Sequence, residues 1–386
     1  MHDIHYVSDN QQLLVMCEAL ADVDVIAVDT EFVRRKTFYP SAGLFQLGTS
    51  DTVYLVDPLT IDAWQPLCAI LQDPQTMKVM HACWEDLEVF HHCLGVMPVN
   101  VLDTQLALAF CNIGWNMGYH NMVETLLEVS LSKAATMTNW LQRPLTDSQL
   151  HYAQEDVTFL LTCFEQLRER LVAEQKWDYC VQQNAYLIQR YENGLSGGDY
   201  IKKIKSACFL SHKQQHVLLS LLAWRERTTR KKNIPRSWLL DDKSMLAIVE
   251  RTGNAVDDGL RDFLHSNKKT QSLSKHIEHT ITEALNTPEA QWAQRLPMKT
   301  RLPKKHPLLN WKACVEEMSN DLSMSGQLLL SKDEFMSNLH ADQGDDFVYV
   351  VPVDWPAWKT QLVGPRVIEW MQRLMTESNS VESVDV

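Results

Sequence analysis

The stretch Val25-Ile26-Ala27-Val28-Asp29-Thr30-Glu31-Phe32 decides how the first half of the chain is read. Its four leading apolar residues, mostly β-branched, predict a buried strand. Asp29 and Glu31 follow. Side chains two apart on a strand leave the same face, so two carboxylates project together from the end of a core strand. Held that close, they repel at a cost that a cation between them relieves. The pair is a candidate metal platform.

Two further places carry acids in matching contexts. Asp86 falls in the first turn of a helix expected from about Trp84 to Cys93, directly after a short strand at 77–81. Asp156 lies on a long helix expected over 146–171, with Tyr152 one turn earlier on the same face. Each also has a plain reading. Asp86 suits the positive end of a helix dipole, and Asp29 and Glu31 suit a solvated strand end. Taken together, four carboxylates without Cys or His ligands select hard cations such as Mg²⁺ or Mn²⁺. Four acids suffice for a pair of ions, the arrangement used for in-line phosphoryl displacement. Tyr152, as a phenol of ordinary pKa near ~10, keeps its proton at neutral pH and suits the orientation of an attacking water.

Around these residues the pattern alternates strands and helices. A helix is expected over 8–22, capped by Ser8. Strands are expected at 45–48 and 53–56, and helices at 64–71 and 122–127. This gives an α/β domain with a mixed sheet over residues 1–175. The remainder is helical in pattern: a connecting helix and linker at 176–204, one helical domain at 205–290, a second at 306–376, and a polar, acidic tail at 377–386 expected to be disordered.

The chain has 386 residues, of which 45% are hydrophobic and 22% charged, a balance that suits a soluble globular protein. No apolar run approaches the ~20 residues of a membrane span. The start, Met1-His2-Asp3-Ile4-His5, lacks a signal-peptide pattern, so a cytoplasmic location is expected, with no membrane partner and a monomeric state. The nine cysteines are scattered with no Cys-x-x-Cys pair, which suits buried thiols. His91-His92-Cys93 has no second ligand cluster at zinc-like spacing.

A formal net charge of −13 argues, by itself, against nucleic acid. Its distribution argues otherwise. Arg225, Arg227, Arg230, Lys231, Lys232 and Arg236 crowd one short stretch. Further patches lie at Lys202, Lys203 and Lys205, at Lys299, Arg301, Lys304 and Lys305, and at Arg34-Arg35-Lys36. They read either as solvated helix ends or as a grip on the phosphate backbone.

Val28-Asp29-Thr30-Glu31-Phe32 resembles the first motif of the DEDD superfamily of 3′-to-5′ exonucleases. The segment His81 to Phe90 resembles the second, and Tyr152-Ala153-Gln154-Glu155-Asp156-Val157 the third, in the tyrosine subgroup. Tyr39-Pro40, Gly43-Leu44, Gln46-Leu47, Asp57-Pro58, Asp103-Thr104-Gln105 and Trp140 to Leu145 extend the resemblance to the bacterial ribonuclease D family, over most of residues 25–165. Gln214-Gln215, Leu222 to Arg227, Asn233-Ile234-Pro235 and Asp241-Asp242 resemble an HRDC domain. The resemblance implies a ribonuclease H-like α/β exonuclease domain with a mixed sheet, followed by all-α HRDC-type domains. It implies that Asp29, Glu31, Asp86 and Asp156 bind two divalent cations and that Tyr152 positions the water. Thr30 and Phe32 would touch the terminal nucleotide, and Arg230, Lys231 and Lys232 the RNA. The implied activity is stepwise release of 5′-mononucleotides from RNA 3′ ends, with tRNA precursors carrying 3′ extensions as partners. The alternatives are a DNA-directed or proofreading-type exonuclease of the same superfamily and a non-catalytic RNA-binding module.

Overall fold

The computed structural model describes residues 2–131, 138–194, 200–296, 302–304, 306–341 and 347–382. The chain divides into two compact units. The first comprises Met1–Val33, Pro40–Gln189 and Thr300–Val386, the second Arg34–Tyr39 and Arg190–Lys299.

The first unit opens with β1 (Asp3–Val7), α1 (Asn10–Leu20), β2 (Val25–Val33), β3 (Ser41–Gly48) and β4 (Thr52–Val56). It continues with α2 (Gln65–Gln72), β5 (Met77–Met80), α3 (Trp84–Leu94), β6 (Val101–Asp103), α4 (Thr104–Phe110) and α5 (Tyr119–Leu127). The helices α6 (Asp147–Thr158), α7 (Leu160–Ala173) and α8 (Trp177–Gly194) follow, the residues of α8 from Arg190 on being counted in the second unit. The six strands form one mixed sheet in the order β1-β4-β3-β2-β5-β6. Only β3 runs against its neighbours; β1 pairs parallel to β4, and β5 parallel to β2 and β6. The mixed α/β sheet expected from the sequence is therefore present.

The strand that carries the first two acids lies near the sheet centre, between β3 and β5. On one face Ala27 and Leu44 join the core beneath α6 and α7. On the other, Phe45 stacks on Phe90 of α3 with ring centroids 5.4 Å apart. Helices on both faces explain why β2 reads as a continuous apolar run before its acids.

Local chemistry fixes the ends of the helices. Asp9, rather than Ser8, caps α1 by accepting from the Gln12 N–H; the backbone N–H of Ser8 is bonded to the Gln12 side chain instead. A capping box of Thr146 and Gln149 starts α6. The long helix expected over 146–171 is two helices that meet at Phe159. Strand β1 escaped the sequence reading because it lies at the sheet edge with Asp3, Ile4, His5 and Tyr6 exposed.

A partly buried ion pair ties this unit together ahead of α6. The Arg143 guanidinium donates through Nε to Asp57 Oδ2 and through Nη2 to Oδ1, both at 2.6 Å. The same side chain donates to the carbonyls of Gly43 and Trp140, and the Tyr6 hydroxyl donates to Asp57 Oδ2. Burial favours the neutral acid at Asp57, but the Arg143 and Tyr6 bonds outweigh it and hold the carboxyl below its usual range. Gly43 is needed here: a Cβ would lie 2.5 Å from that of Trp140.

The second unit contains α9 (Tyr200–Lys203), α10 (His212–Lys232), α11 (Arg236–Leu239), α12 (Asp242–Arg251), α13 (Asp258–His265) and α14 (Lys268–Asn286) around its own apolar core. Segment 34–39 packs within this unit. Asn233 Oδ1 accepts the backbone N–H groups of Phe38 and Tyr39, and the Phe38 ring lies under the guanidinium groups of Arg230 and Arg236.

The C-terminal stretch differs from the expected independent all-helical domain at 306–376. It holds α15 (Trp311–Leu322), α16 (Gly326–Leu329), α17 (Lys332–Ser337), α18 (Ala357–Glu382) and a hairpin of β7 (Leu339–Ala341) with β8 (Phe347–Tyr349). It belongs to the first unit because its apolar side chains complete that unit's core. Trp358 packs on Phe110 and donates from Nε1 to Gln183. Lys176 Nζ donates to the carbonyls of Phe110 and Ser323, bridging the layers. The tail expected to be disordered from 377 is helical through Glu382; residues 383–386 lie outside the described residues.

Candidate active site

Three elements deliver the four acids. Strand β2 brings Asp29 and Glu31, α3 brings Asp86 and α6 brings Asp156. Asp86 and Asp156 are buried, while Asp29 and Glu31 are partly exposed. The structure brings all four close enough to act on one another. Burial pushes Glu31 up to about 10, and Asp29, Asp156 and Asp86 push it the same way. Burial and the charge of Asp156 raise Asp29 well above the usual carboxylate range. Burial and Asp29 raise Asp86. Burial raises Asp156 to about 7, against the hydrogen bond from Tyr152 that favours its charged form. Acids gathered in this way carry like-charge repulsion and desolvation that a cation offsets.

Each acid has a local support. Thr30, on the strand face opposite to Asp29 and Glu31, donates from Oγ1 to Asp86 Oδ1 at 2.5 Å. The turn before α3 is held by Asp103, whose carboxylate accepts from the backbone of Ala82, Cys83 and Gln105. Ala82 adopts a φ of 57° there. An Asp at a strand end before Thr104-Gln105 is a helix-cap signal, and Asp103 caps α4 in this way. Burial, with the charges of Asp156, Glu31 and Asp29 and hydrogen bonding towards Asp156, raises the pKa of Tyr152, so the phenol keeps its proton. The Tyr152 ring lies 6.2 Å from both His120 and Trp140.

The remaining sequence candidates separate. Thr30 is buried and its hydroxyl is bonded to Asp86. Phe32 follows a register shift in the β2–β3 ladder and is partly exposed. Arg230 and Arg236 both pair with Glu226, which neutralises part of the basic stretch, whereas Lys231 and Lys232 are exposed at the end of α10. Lys299, Arg301 and Lys305 lie outside the described residues, and so does the side chain of Lys202.

As the side chains stand, and among the described residues, no three acid, imidazole or thiol groups surround one point closely enough to ligate an ion. The donor set fits a hard cation: every member is a carboxylate, and the charges acting on Glu31 are three other carboxylates.

Residues 4–172 match a family model described as 3′-5′ exonuclease. Over 372 residues the chain is 32% identical to ribonuclease D of Pseudomonas paraeruginosa, covering 96% of this chain and 98% of that one. The chain belongs to the ribonuclease D family. Ribonuclease D of Escherichia coli is 30% identical over 327 residues, 84% of this chain and 87% of its own. The crystal structure of the Escherichia coli enzyme, described as an exoribonuclease involved in structured RNA processing, superposes with a TM-score of 0.81 at 27% identity, over 97% of this chain and 99% of that one. The catalytic core of RRP6 from Trypanosoma brucei shares the fold, with a TM-score of 0.52 at 21% identity over 74% of this chain and 80% of its own. The chain is thus a 3′-to-5′ exoribonuclease of a family that works with divalent metal ions. Among the described residues no helix is long and apolar enough to cross a membrane.

Proposed function

We propose that Asp29, Glu31, Asp86 and Asp156 hold two divalent cations, Mg²⁺ or Mn²⁺, and that with Tyr152 they form the catalytic centre. The observation that carries this reading is the mutual electrostatic strain of four acids from three elements. When bound, the ions would supply positive charge for the scissile phosphate and acidify the attacking water. The protein's own contribution is positioning. Thr30 fixes Asp86, and the turn held by Asp103 fixes the start of α3. Tyr152 keeps its proton, and the lone pairs of its phenol oxygen accept from a water and aim it. Phe32 flanks the acidic pair and would meet the terminal nucleotide.

The products would be 5′-mononucleotides. The substrates would be tRNA precursors with 3′ extensions, processed by a monomer in the cytoplasm. Lys231 and Lys232, exposed on the helical unit, would contact the RNA backbone, with Arg230 contributing less because Glu226 holds it. Parallel degradation of 3′-extended tRNA precursors, unstructured RNA and single-stranded DNA, each with Mg²⁺ and with EDTA, tests this reading. Trimming of the tRNA precursor in preference to DNA, abolished by EDTA, is expected. Equal or faster attack on DNA would overturn the substrate assignment.

A further inference from the structure

Gln46 is fully buried, and among the described residues neither its carboxamide oxygen nor its nitrogen has a hydrogen-bond partner. Leaving both ends of a buried amide unsatisfied costs free energy, and such a group in a native protein calls for an explanation. An apolar residue would fill the place without that cost.

The position of the amide supplies the explanation. Gln46 lies on β3 directly opposite Asp29 in the antiparallel ladder. Opposed residues of such a pair share a sheet face, with Cβ atoms about 5 Å apart. The same face carries Glu31, opposite Leu44, and is covered by α6, the helix that bears Tyr152 and Asp156. Gly48, two residues on from Gln46, packs at the distance of an absent Cβ from Val157 of that helix. The amide is therefore enclosed between the strand that brings two of the acids and the helix that brings the third.

We infer that Gln46 is a positioning residue for the metal centre, and that its N–H group donates to the Asp29 carboxylate, directly or through one water, when that carboxylate ligates a cation. This inference rests on the assignment of Asp29 as a metal ligand. A neutral amide suits the task. It donates to a carboxylate without adding charge that would compete with the ion, and it fixes which oxygen faces the ion. Partners of this kind orient ligating carboxylates, and their loss typically costs about 10–100-fold in metal affinity or activity. The amide oxygen is left to accept from a water or from a donor on α6 in the same state.

The inference separates two states of one molecule, so melting without and with metal tests it. Gln46→Met keeps the length of the side chain and removes both polar atoms; Gln46→Leu is the second variant. In EDTA both are expected to melt at or above the temperature of the unaltered protein, because a buried unsatisfied amide has been removed. On titration with MgCl₂ they are expected to need about ten-fold more metal for half of the stabilising shift. The turnover rate on an RNA oligonucleotide is expected to fall by a similar factor, with KM unchanged. An equal drop in melting temperature with and without metal, or failure of both variants to fold, would show that Gln46 serves packing alone and overturn the inference. A Mg²⁺ midpoint and turnover rate within about two-fold of the unaltered protein would overturn it as well. Asp29→Ala in the same titration separates the premises. If it keeps the metal response, the ligand assignment has failed; if it loses the response while the Gln46 variants keep it, only the role of Gln46 has.

Discussion

Asp156→Asn isolates the electrostatic strain of the site. Burial and neighbouring acids raise Asp156 from 3.8 to about 7. Without metal, the native chain therefore holds a proton that the unfolded chain has released between those values, and stability falls as pH rises through that window. A shift of about three units at ~1.4 kcal/mol each gives up to about 4 kcal/mol. This is an upper bound, since Glu31, Asp29 and Asp86 readjust. Asparagine still accepts the bond from Tyr152 but has no charge to desolvate. In EDTA at about pH 8 the variant should therefore melt higher, by on the order of 10 °C at the bound, with the gain shrinking towards about pH 4. Excess Mg²⁺ should narrow or close the gap, because a ligand at ~100 times its Kd adds about 2.7 kcal/mol to a protein that can bind it. Scanning calorimetry of both proteins across pH, with EDTA and with Mg²⁺, gives the comparison. A metal-free protein whose stability is flat from about pH 4 to pH 8, or a variant less stable at pH 8 in EDTA, would refute the reasoning.

Other consequences follow from named contacts. Asp57→Ala leaves the Arg143 fork without its carboxylate and should cost about 3 kcal/mol, seen as a lower urea midpoint; an unchanged midpoint would show that the pair contributes nothing. Thr30→Val keeps the shape and removes the bond to Asp86, and should lower kcat about ten-fold with KM for RNA unchanged. Full kcat in that variant would remove Thr30 from the support of the site. Replacing Lys231 and Lys232 with alanine should weaken RNA binding and reduce the salt slope by about 1.4, at ~0.7 per phosphate contact on a single strand, and an unaltered slope would exclude them from the interface.

The acids could be read because each sits where local pattern reports direction: a strand end with alternation, a first helical turn, an i to i+4 pair. Their supports could not. The bonds from Thr30 to Asp86 and from Arg143 to Asp57 join residues 56 and 86 positions apart, and no periodicity marks such partners. Gln46 stood in the sequence only as part of a family resemblance. Its meaning depends on the register that sets it opposite Asp29. The C-terminal stretch misled for a related reason. Its helical periodicity is genuine, but which core it completes is decided by Trp358 meeting Phe110 and Gln183, a tertiary contact. The basic stretch at 225–236 read either as solvated helix ends or as a grip on phosphate, and the sequence does not tell that Glu226 within it folds back onto two of its arginines.

The most direct test of the catalytic assignment is single-turnover release of the 3′-terminal nucleotide from end-labelled RNA by the unaltered protein and by Asp29→Ala, each over a range of Mg²⁺ concentrations. The unaltered protein should release one 5′-mononucleotide at a time with saturable dependence on Mg²⁺. The variant, folded by circular dichroism, should release none at any concentration. Metal-dependent release by Asp29→Ala at the unaltered rate would contradict the account.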